Sequence, residues 1–395
     1  MNVVHVINTL DPANGGLPAV VTRLAAAQAR LGANTSIAAY AHPGTEEAVA
    51  RSLTGIPDID RVRIINCGMR GLAEGITGRR AFRSIRAMLS SRDIVHLHGV
   101  WDSILRAGAR AAAERGGRYV VAPHGMLDPW SLRQKPWKKR VALYLHFRRL
   151  LNRALFIHVL NEDERELARP LGMTAPFEVI PNGVFAEELG APGGGDSFAS
   201  ACPGLCGRPY ILFLSRLHYK KGLDVLAGAF HYVTRRNADV QLVVAGPDGG
   251  ARAGFEADIE ARGIKHRVHM VGPLYGRDKL AVYRGAAVFC LPSRAEGFSM
   301  AVVEALGCGL PVVVSHGCHF PEIEREEAGR LVDLDPAQVG RALLDMVHRP
   351  DAARLAGERA RRMVLSRYTW PGIAERTLAA YQGRMPEQPG REDRP

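Results

Sequence analysis

The sequence lacks several signatures that would place it in a familiar class. No apolar run among its 395 residues approaches the length that spans a bilayer, which is roughly 20 residues. The N-terminus, MNVVHVINTL, has no basic region followed by a long apolar core, so no secretory signal is expected. A G-x-G-x-x-G fingerprint is missing, which argues against a dinucleotide-dependent dehydrogenase. Zinc-finger, RRM and basic-zipper patterns are missing too, so nucleic acid is not an expected partner.

Cysteine is sparse and scattered. Of the six cysteines, only Cys202 and Cys206 lie close together. Neither a second pair nor a histidine follows them at the spacing of zinc ligands, so no metal site is expected. Reduced thiols in a cytoplasm are the preferred interpretation.

Length and charge indicate two globular domains with unequal surfaces. A chain of 395 residues exceeds one ordinary core. The net charge is +12, and residues 1–180 contribute 25 Lys/Arg against 15 Asp/Glu, a net of +10. This surplus in the first half suggests an anionic partner there, such as a membrane surface or a phosphorylated acceptor.

Short β-branched runs alternate with helical patterns in two blocks, which predicts an α/β protein with doubly wound parallel sheets. The strands expected in the first block are 2–7, 35–40, 61–65, 93–98, 118–123 and 155–160. Those expected in the second block are 209–215, 239–246, 267–272, 286–293 and 310–315. A Gly/Pro/Ala-rich stretch separates the blocks. We therefore predict domains at 1–185 and 209–368, a linker at 186–208, and a disordered tail at 385–395.

The loops that follow strands are the expected place for chemistry, because ligands of parallel sheets bind at the carboxyl ends of strands. Gly15 and Gly16 come after the first strand and before a helix, where backbone N–H groups can approach an anion. His98 and His124 each start a His-Gly turn at the end of a strand, where histidine can donate a hydrogen bond or move a proton. An ordinary turn and a structural histidine are the alternatives.

Residues 131–153 contain eight Lys/Arg and no acid. A basic, partly amphipathic helix with aromatic residues suits an anionic membrane face, and a solvated helix is the alternative. The basic residues considered for the membrane or the acceptor are Arg133, Lys135, Lys138, Lys139 and Arg140.

The second block carries two further motifs. Arg216 and Lys221 follow its first strand, with Gly222 opening a helix, and such a pair can clamp a diphosphate. The segment EGFSMAVVE places Glu296 in a loop, Ser299 as a helix N-cap and Glu304 in the second helical turn. Two acids at this depth can each accept hydrogen bonds from the vicinal hydroxyls of a sugar or ribose. A general acid/base pair, as in glycosidases, is the alternative.

These motifs, with the PNGV turn at 181–184, resemble the family-4 glycosyltransferases, which are retaining, nucleotide-sugar-dependent enzymes of the GT-B fold. The resemblance implies two Rossmann-like domains facing a central cleft. The first would bind the acceptor and the second the nucleotide sugar. The stretch 369–384 would then be a C-terminal helix that returns to the first domain. PHGMLDPWSLRQKPWKKR resembles a subgroup associated with bacterial surface-polysaccharide assembly.

The resemblance also implies residue roles. Glu296 would hold donor-sugar hydroxyls, Glu304 the ribose, and Arg216 with Lys221 the diphosphate, while His124 would lie near the sugar. The remaining residues expected to bind nucleotide or donor are Gly15, Gly16, Gly272, Leu274, Gly297, Phe298 and Ser299. The sequence has no DxD-type acidic cluster in the right setting, so neither a metal nor another cofactor is expected.

The expected function is therefore transfer of a sugar from a UDP- or GDP-sugar to a glycan or lipid-linked acceptor in surface polysaccharide biosynthesis. The enzyme would be cytoplasmic, and its basic segment would allow a peripheral position on the inner face of the membrane. A nucleotide-sugar epimerase or phosphorylase on the same fold is one alternative. A non-catalytic nucleotide-sugar-binding protein is another, although the complete set of Arg216, Lys221, Glu296 and Glu304 argues against it.

Overall fold

The β-branched runs form two parallel sheets in the computed structural model. The structure describes residues 1–134, 136–143, 147–190, 202–205, 207–237 and 239–384. The first unit consists of Met1–Asn182 together with the chain from Trp370 onward, and the second consists of Gly183–Thr369. The predicted doubly wound α/β architecture is confirmed.

The first unit is built on a seven-stranded sheet in the order β3-β2-β1-β4-β5-β6-β7. Its strands are β1 (Asn2–Thr9), β2 (Asn34–Ala41), β3 (Arg63–Met69), β4 (Ile94–His98), β5 (Arg118–Ala122), β6 (Ile157–Val159) and β7 (Phe177–Val179). Its helices are α1 (Leu17–Arg30), α2 (Glu46–Leu53), α3 (Leu72–Thr77), α4 (Arg79–Met88), α5 (Ser103–Glu114), α6 (Pro129–Arg133), α7 (Pro136–Ala142), α8 (Arg148–Asn152), α9 (Glu162–Ala168) and α18 (Trp370–Tyr381).

Strands β1, β4 and β5 lie side by side and are buried on both faces, as parallel strands covered by helices are. In the parallel register His5 pairs with His96, and His98 pairs with Ala122. The strands therefore end at one edge, and the loops that carry Gly15, Gly16 and His124 leave the sheet there.

The second unit is built on a six-stranded sheet in the order β10-β9-β8-β11-β12-β13. Its strands are β8 (Tyr210–Leu214), β9 (Gln241–Ala245), β10 (Val268–Gly272), β11 (Val288–Leu291), β12 (Val312–Ser315) and β13 (Gly329–Val332). Its helices are α10 (Ala186–Gly190), α11 (Leu223–Thr234), α12 (Arg252–Ala261), α13 (Gly276–Gly285), α14 (Met300–Gly307), α15 (Glu322–Arg325), α16 (Pro336–His348) and α17 (Pro350–Arg367). Because β8 and β11 are neighbours, the Arg216–Lys221 loop and the Glu296 loop leave the sheet side by side.

Three sequence-based predictions need correction or qualification. The predicted linker begins with helix α10, whose Leu189 is buried in the core of the second unit. Residues 191–201 of that stretch and the predicted tail at 385–395 lie outside the described residues. The basic segment 131–153, predicted as one helix, is interrupted between α6 and α7, because Pro136 starts a new helix. No helix among the described residues is long and apolar enough to cross a membrane.

Candidate functional site

The loop after β8 is fixed against the loop after β11 by a glycine. Lys221 ends a short 3-10 helix, and Gly222 follows it with φ of 70°. A Cβ added to Gly222 would lie 1.9 Å from the carbonyl oxygen of Pro292. Both the left-handed backbone and this close approach require glycine. The backbone of Lys221 is therefore held beside the start of the Glu296 loop.

Lys221 and Glu296 form a shielded ion pair. Lys221 Nζ lies 2.6 Å from Glu296 Oε1, and the two side chains are 17% and 9% exposed. The backbone N–H of Glu296 donates to the Gly317 carbonyl oxygen at 2.8 Å, which fixes the carboxylate-bearing residue. A charge-assisted hydrogen bond in such limited contact with water is stronger than an exposed one.

The surroundings of this pair are electropositive. Burial lowers the pKa of His218, and the positive charges of Arg216, Lys221 and Lys220 lower it further. Arg216 is exposed and makes no ion pair within the described residues. Its aliphatic stem packs on Gly249, where an added Cβ would lie 2.9 Å from Arg216 Cγ. The guanidinium of Arg216, the ammonium of Lys221 and the start of α11 can together receive an anion such as a diphosphate.

Glu304 lies on α14 and has its own cation. Lys279 Nζ donates to Glu304 Oε1 at 2.7 Å, and the hydroxyl of Tyr283 donates to Oε2 at 3.2 Å. Lys279 and Tyr283 are one turn apart on α13 and so face the same carboxylate. Burial and the charge of Glu304 raise the pKa of Tyr283. The Glu304 carboxylate is thereby held at a fixed orientation.

The other residues predicted in the second unit occupy the same loops or the loop after β10. Ser299 is at the N-cap position of α14 but its side chain makes no capping hydrogen bond, contrary to the expected cap. Phe298 packs against Phe320 and Tyr368, with ring centroids 5.8 and 6.1 Å away. Gly297 joins Glu296 to Phe298. Gly272 ends β10 with φ of 73°, and its carbonyl oxygen accepts from Gly246 N at 2.8 Å. Leu274 packs partly buried against the core.

In the first unit, Gly15 and Gly16 precede α1. Gly15 has φ of 98°, in the region that favours glycine. Gly16 is the N-cap residue of α1, and a Cβ added to it would meet nothing within 4 Å. The fold of this unit therefore leaves open space at Gly16, next to the N–H groups of a helix N-terminus.

His124 follows β5 in an unusual backbone conformation. Its φ is 52°, and that of Gly125 is 74°. Glu164 holds this turn, because its carboxylate accepts from Gly125 N at 2.5 Å and from Leu160 N at 2.7 Å. Burial raises the pKa of Glu164 to about 7. Glu164 is thus the structural support of a strained histidine, since a non-glycine residue in the left-handed region costs energy.

Behind His124 lies a group of buried histidines. His98 Nδ1 is 3.0 Å from His124 Nε2, and His98 Nε2 is 2.9 Å from His5 Nδ1. Burial lowers the pKa of His5 to about 4 and that of His124 to about 3. The ligand atoms of His5, His96 and His98 lie within 4.8 Å of one another, as metal ligands would. All six of their ring nitrogens already have hydrogen-bond partners.

The basic residues divide into two groups. Arg133 and Arg140 are exposed. Lys139 instead donates to the Ser131 carbonyl oxygen at 2.6 Å and lies 5.6 Å from the ring centroid of Trp101. Lys135 lies outside the described residues, as does the side chain of Lys138. Trp137 and Val141 on α7 are 66% and 50% exposed, so apolar and cationic side chains share this surface.

Comparison with known proteins assigns this architecture to a family. A model described as glycosyl transferases group 1 matches residues 206–363, and one described as glycosyl transferase 4-like domain matches residues 15–183. The chain belongs to the family-4 glycosyltransferases of the GT-B fold. The Anabaena protein HepE, solved in complex with UDP and glucose, shares that fold with this glycosyltransferase. It has a TM-score of 0.78 and 18% identity, over 97% of this chain and 100% of HepE.

Two curated relatives align with part of this glycosyltransferase. The phosphatidyl-myo-inositol mannosyltransferase of Mycobacterium leprae is 32% identical over 213 residues, which is 51% of this chain and 52% of the relative. One polypeptide of the human phosphatidylinositol N-acetylglucosaminyltransferase is 31% identical over 172 residues, which is 43% of this chain and 35% of the relative. The chain thus spans about half or less of the length of these relatives.

Three sets of residues that support the candidate site were not predicted from the sequence. Lys279 and Tyr283, which hold Glu304, look like ordinary residues of a surface helix. Glu164, which holds the His124 turn, resembles any acid in the first turn of a helix. The buried histidines had a visible signal: VVHVI, IVHLH and FIHVL each place histidine inside an otherwise apolar strand, where polar groups need hydrogen-bond partners.

Proposed function

We propose that this protein is a retaining glycosyltransferase that transfers a sugar from a UDP- or GDP-sugar to a glycan or lipid-linked acceptor in surface polysaccharide biosynthesis. The observation that carries the proposal is the shielded Lys221–Glu296 pair beside the exposed Arg216, at the carboxyl ends of two adjacent strands. This arrangement offers positive charge to a diphosphate and a fixed carboxylate to a sugar.

The proposed roles follow from that chemistry. Arg216 and Lys221 would bind the diphosphate, and Lys221 would stabilise the charge that develops when the bond between sugar and phosphate breaks. Glu296 would accept hydrogen bonds from donor-sugar hydroxyls, and Glu304 from the ribose. Gly272 and Leu274 would contact the base, and Gly297, Phe298 and Ser299 would line the donor site. In the first unit, Gly15 and Gly16 would approach the phosphates and His124 the sugar.

The proposed reaction needs no nucleophile from the protein. The acceptor hydroxyl attacks the anomeric carbon from the side of the leaving group, the bond from that carbon to the phosphate oxygen breaks, and the hydroxyl proton passes to a phosphate oxygen. The products are the glycosylated acceptor and a nucleoside diphosphate. We propose that arginine, lysine and helix dipoles handle the departing charge without a metal ion.

The names of the relatives support the substrate classes. The mycobacterial relative is named for transfer of mannose to a phosphatidylinositol, the human relative for transfer of N-acetylglucosamine to a phosphatidylinositol, and HepE was solved with UDP and glucose. We extend to this chain a nucleotide-sugar donor and an acceptor bearing a lipid or glycan. A cytoplasmic position, peripheral at the membrane through Arg133, Lys135, Lys138, Lys139 and Arg140, is part of the proposal.

A donor screen tests the proposal. The protein is incubated with a panel of UDP- and GDP-sugars, with and without a membrane lipid extract, and free nucleoside diphosphate is measured. Release that depends on the extract is expected. Epimer formation without release would replace the proposal with an epimerase, and binding without turnover would replace it with a binding protein. Lys221→Ala should lose this release, because it removes the charge that stabilises the leaving group. Lys265→Ala, which breaks an exposed ion pair with Glu260, is its matched control.

A further inference from the structure

A continuous chain of hydrogen bonds crosses the first unit from His124 to a backbone carbonyl group. It passes through six other side chains contributed by β1, β4, β6, α1 and α18. We call these residues the imidazole chain: His124, His98, His5, Gln28, Tyr381, His96 and His158. Apart from the partly exposed His124, its members are buried.

The Ile180 carbonyl group at the end of the imidazole chain determines which atom donates in each of its hydrogen bonds. His158 Nε2 lies 2.7 Å from the Ile180 carbonyl oxygen, which can only accept, so His158 carries its proton on Nε2. A neutral His158 then accepts at Nδ1, which lies 3.3 Å from His96 Nε2, so His96 donates there. His96 Nδ1 is left as an acceptor, and the Tyr381 hydroxyl donates to it at 2.7 Å.

Gln28 links the pair His158 and His96, through Tyr381, to the three histidines His5, His98 and His124, and so sets the direction of their hydrogen bonds. Because the Tyr381 proton is used on His96, the Tyr381 oxygen accepts, and Gln28 Nε2 donates to it at 3.2 Å. The amide oxygen of Gln28 therefore faces His5, whose Nε2 donates to it at 2.9 Å. His5 Nδ1 then accepts from His98 Nε2 at 2.9 Å, and His98 Nδ1 accepts from His124 Nε2 at 3.0 Å.

We propose that the imidazole chain locks His124 in the tautomer with its proton on Nε2, so that Nδ1 faces the sugar as a hydrogen-bond acceptor. Among the described residues, Nδ1 of His124 has no partner, whereas Nε2 is committed to His98. Gln28 and Tyr381 are positioning residues that act through the chain. The contact with a sugar rests on the proposed function, whereas the tautomer does not.

The chemistry of the site agrees with this assignment. A locked Nδ1 acceptor selects a hydroxyl group that donates and disfavours a replacement that cannot, such as fluorine. A buried imidazolium would have to be desolvated among four other imidazoles, and burial accordingly lowers the pKa of His158 to about 4. The neutral state of every imidazole, which the direction of the chain requires, is therefore the stable one.

Nitrogen NMR of the 395-residue chain, labelled with 15N in the histidine rings, tests the tautomer without any ligand. The expected result is an unprotonated Nδ1 and a protonated Nε2 for His124, assigned by comparison with His124→Gln. The opposite tautomer in the wild-type protein, or signals of metal-bound nitrogen in His5, His96 and His98, would overturn the proposal.

Two substitutions of Gln28 distinguish its effect on the direction of the hydrogen bonds in the imidazole chain from the effect of a changed side chain on packing. Gln28→Leu removes the acceptor of His5, so the three imidazoles up to His124 can reverse, and a mixed or Nδ1-protonated His124 is expected. Gln28→Glu still accepts from His5, and His124 is expected to keep the wild-type tautomer. Tyr119→Phe is the control, because it deletes a buried hydroxyl that donates to the Leu150 carbonyl oxygen outside the imidazole chain. Identical His124 signals in all of these variants would overturn the role of Gln28.

The contact with the sugar has its own readout. With a donor found in the screen and its deoxyfluoro analogues, the wild type, Gln28→Glu and Tyr119→Phe should discriminate at one hydroxyl position by at least tenfold in kcat/KM. Gln28→Leu should lose most of that discrimination, because an Nδ1–H group tolerates fluorine better. Equal discrimination in all variants would contradict the sugar contact and leave the tautomer standing. A protein without activity would refute the proposed function while the NMR result still decides the tautomer.

Discussion

Lys221 and Glu296 are 75 positions apart in the chain, and their charged atoms lie 2.6 Å apart in a largely shielded pair. Breaking such a pair leaves one charge with neither water nor a partner. The pair therefore contributes to the stability of the second unit as well as to its proposed chemistry, and these two contributions can be measured separately.

Lys221→Ala should lower the free energy of unfolding of the second unit by about 3 kcal/mol, because it leaves the Glu296 carboxylate unpaired. Lys221→Met combined with Glu296→Gln should recover most of that stability and none of the turnover. Urea unfolding and nucleoside diphosphate release measure the two effects. A double variant as unstable as Lys221→Ala would contradict the ion-pair explanation, and near-normal turnover would remove Lys221 from the proposed mechanism.

The two glutamates should fail in different ways. Glu304→Gln should mainly weaken nucleotide binding, by roughly tenfold, since a charge-assisted hydrogen bond contributes about 1.5 kcal/mol or more. Glu296→Gln should mainly lower turnover. Lys279→Met should reproduce the Glu304 effect, because the carboxylate loses the cation that orients it. Calorimetry with UDP and GDP measures nucleotide binding, and kcat measures turnover. If both glutamate variants change binding and turnover equally, the proposed assignment of Glu304 to the nucleotide and Glu296 to the sugar is wrong.

The first unit should be sensitive to acid. The lowered pKa values of the five histidines mean that stability is full above their unfolded pKa, about 6.5, and falls as the pH drops below it. Between pH 7.5 and pH 5.5 the five histidines together should therefore lower the free energy of unfolding of the first unit by several kcal/mol. Glu164, whose pKa is raised to about 7, opposes this by about 2 kcal/mol.

Tryptophan fluorescence isolates that unit during urea unfolding. The chain has four tryptophans, at 101, 130, 137 and 370, and all of them belong to the first unit. A midpoint that is the same at pH 7.5 and pH 5.5 would show that the imidazoles are not held neutral.

Membrane binding through the basic segment should depend on exposed arginines. Arg133→Gln with Arg140→Gln should weaken binding to vesicles containing phosphatidylserine by about thirtyfold, at about 1 kcal/mol per residue, and added salt should shrink the difference. Arg51→Gln with Arg169→Gln is the control of equal charge, as both side chains are more than 70% exposed. If both double variants lose the same amount of vesicle binding, the effect comes from net charge and not from the basic segment.

The sequence predicted most of the strands and the Glu296–Glu304 segment because both leave local patterns. The strands β7 and β13 were missed because their sequences, FEV and GRLV, are short and contain a charged residue, so neither is a continuous apolar run. The partners of His5 could not be found because Gln28 and His98 lie 23 and 93 positions away, and Gln28 in turn meets Tyr381 across 353 positions. Local spacing contains no information about such a contact, and only the folded sheet brings the two together.

Helix α18 supplies Trp370 and Tyr381 to the first unit, and both side chains are 0% exposed. Arg376 on the same helix donates to the Val179 carbonyl oxygen at 2.8 Å. During synthesis the ribosome therefore produces the whole of the second unit before the first can close its interior. The second unit can fold as soon as it emerges, whereas the earlier residues must wait with apolar surface uncovered. A ribosome that stalls before residue 370 would release a protein whose older half is the unfinished one.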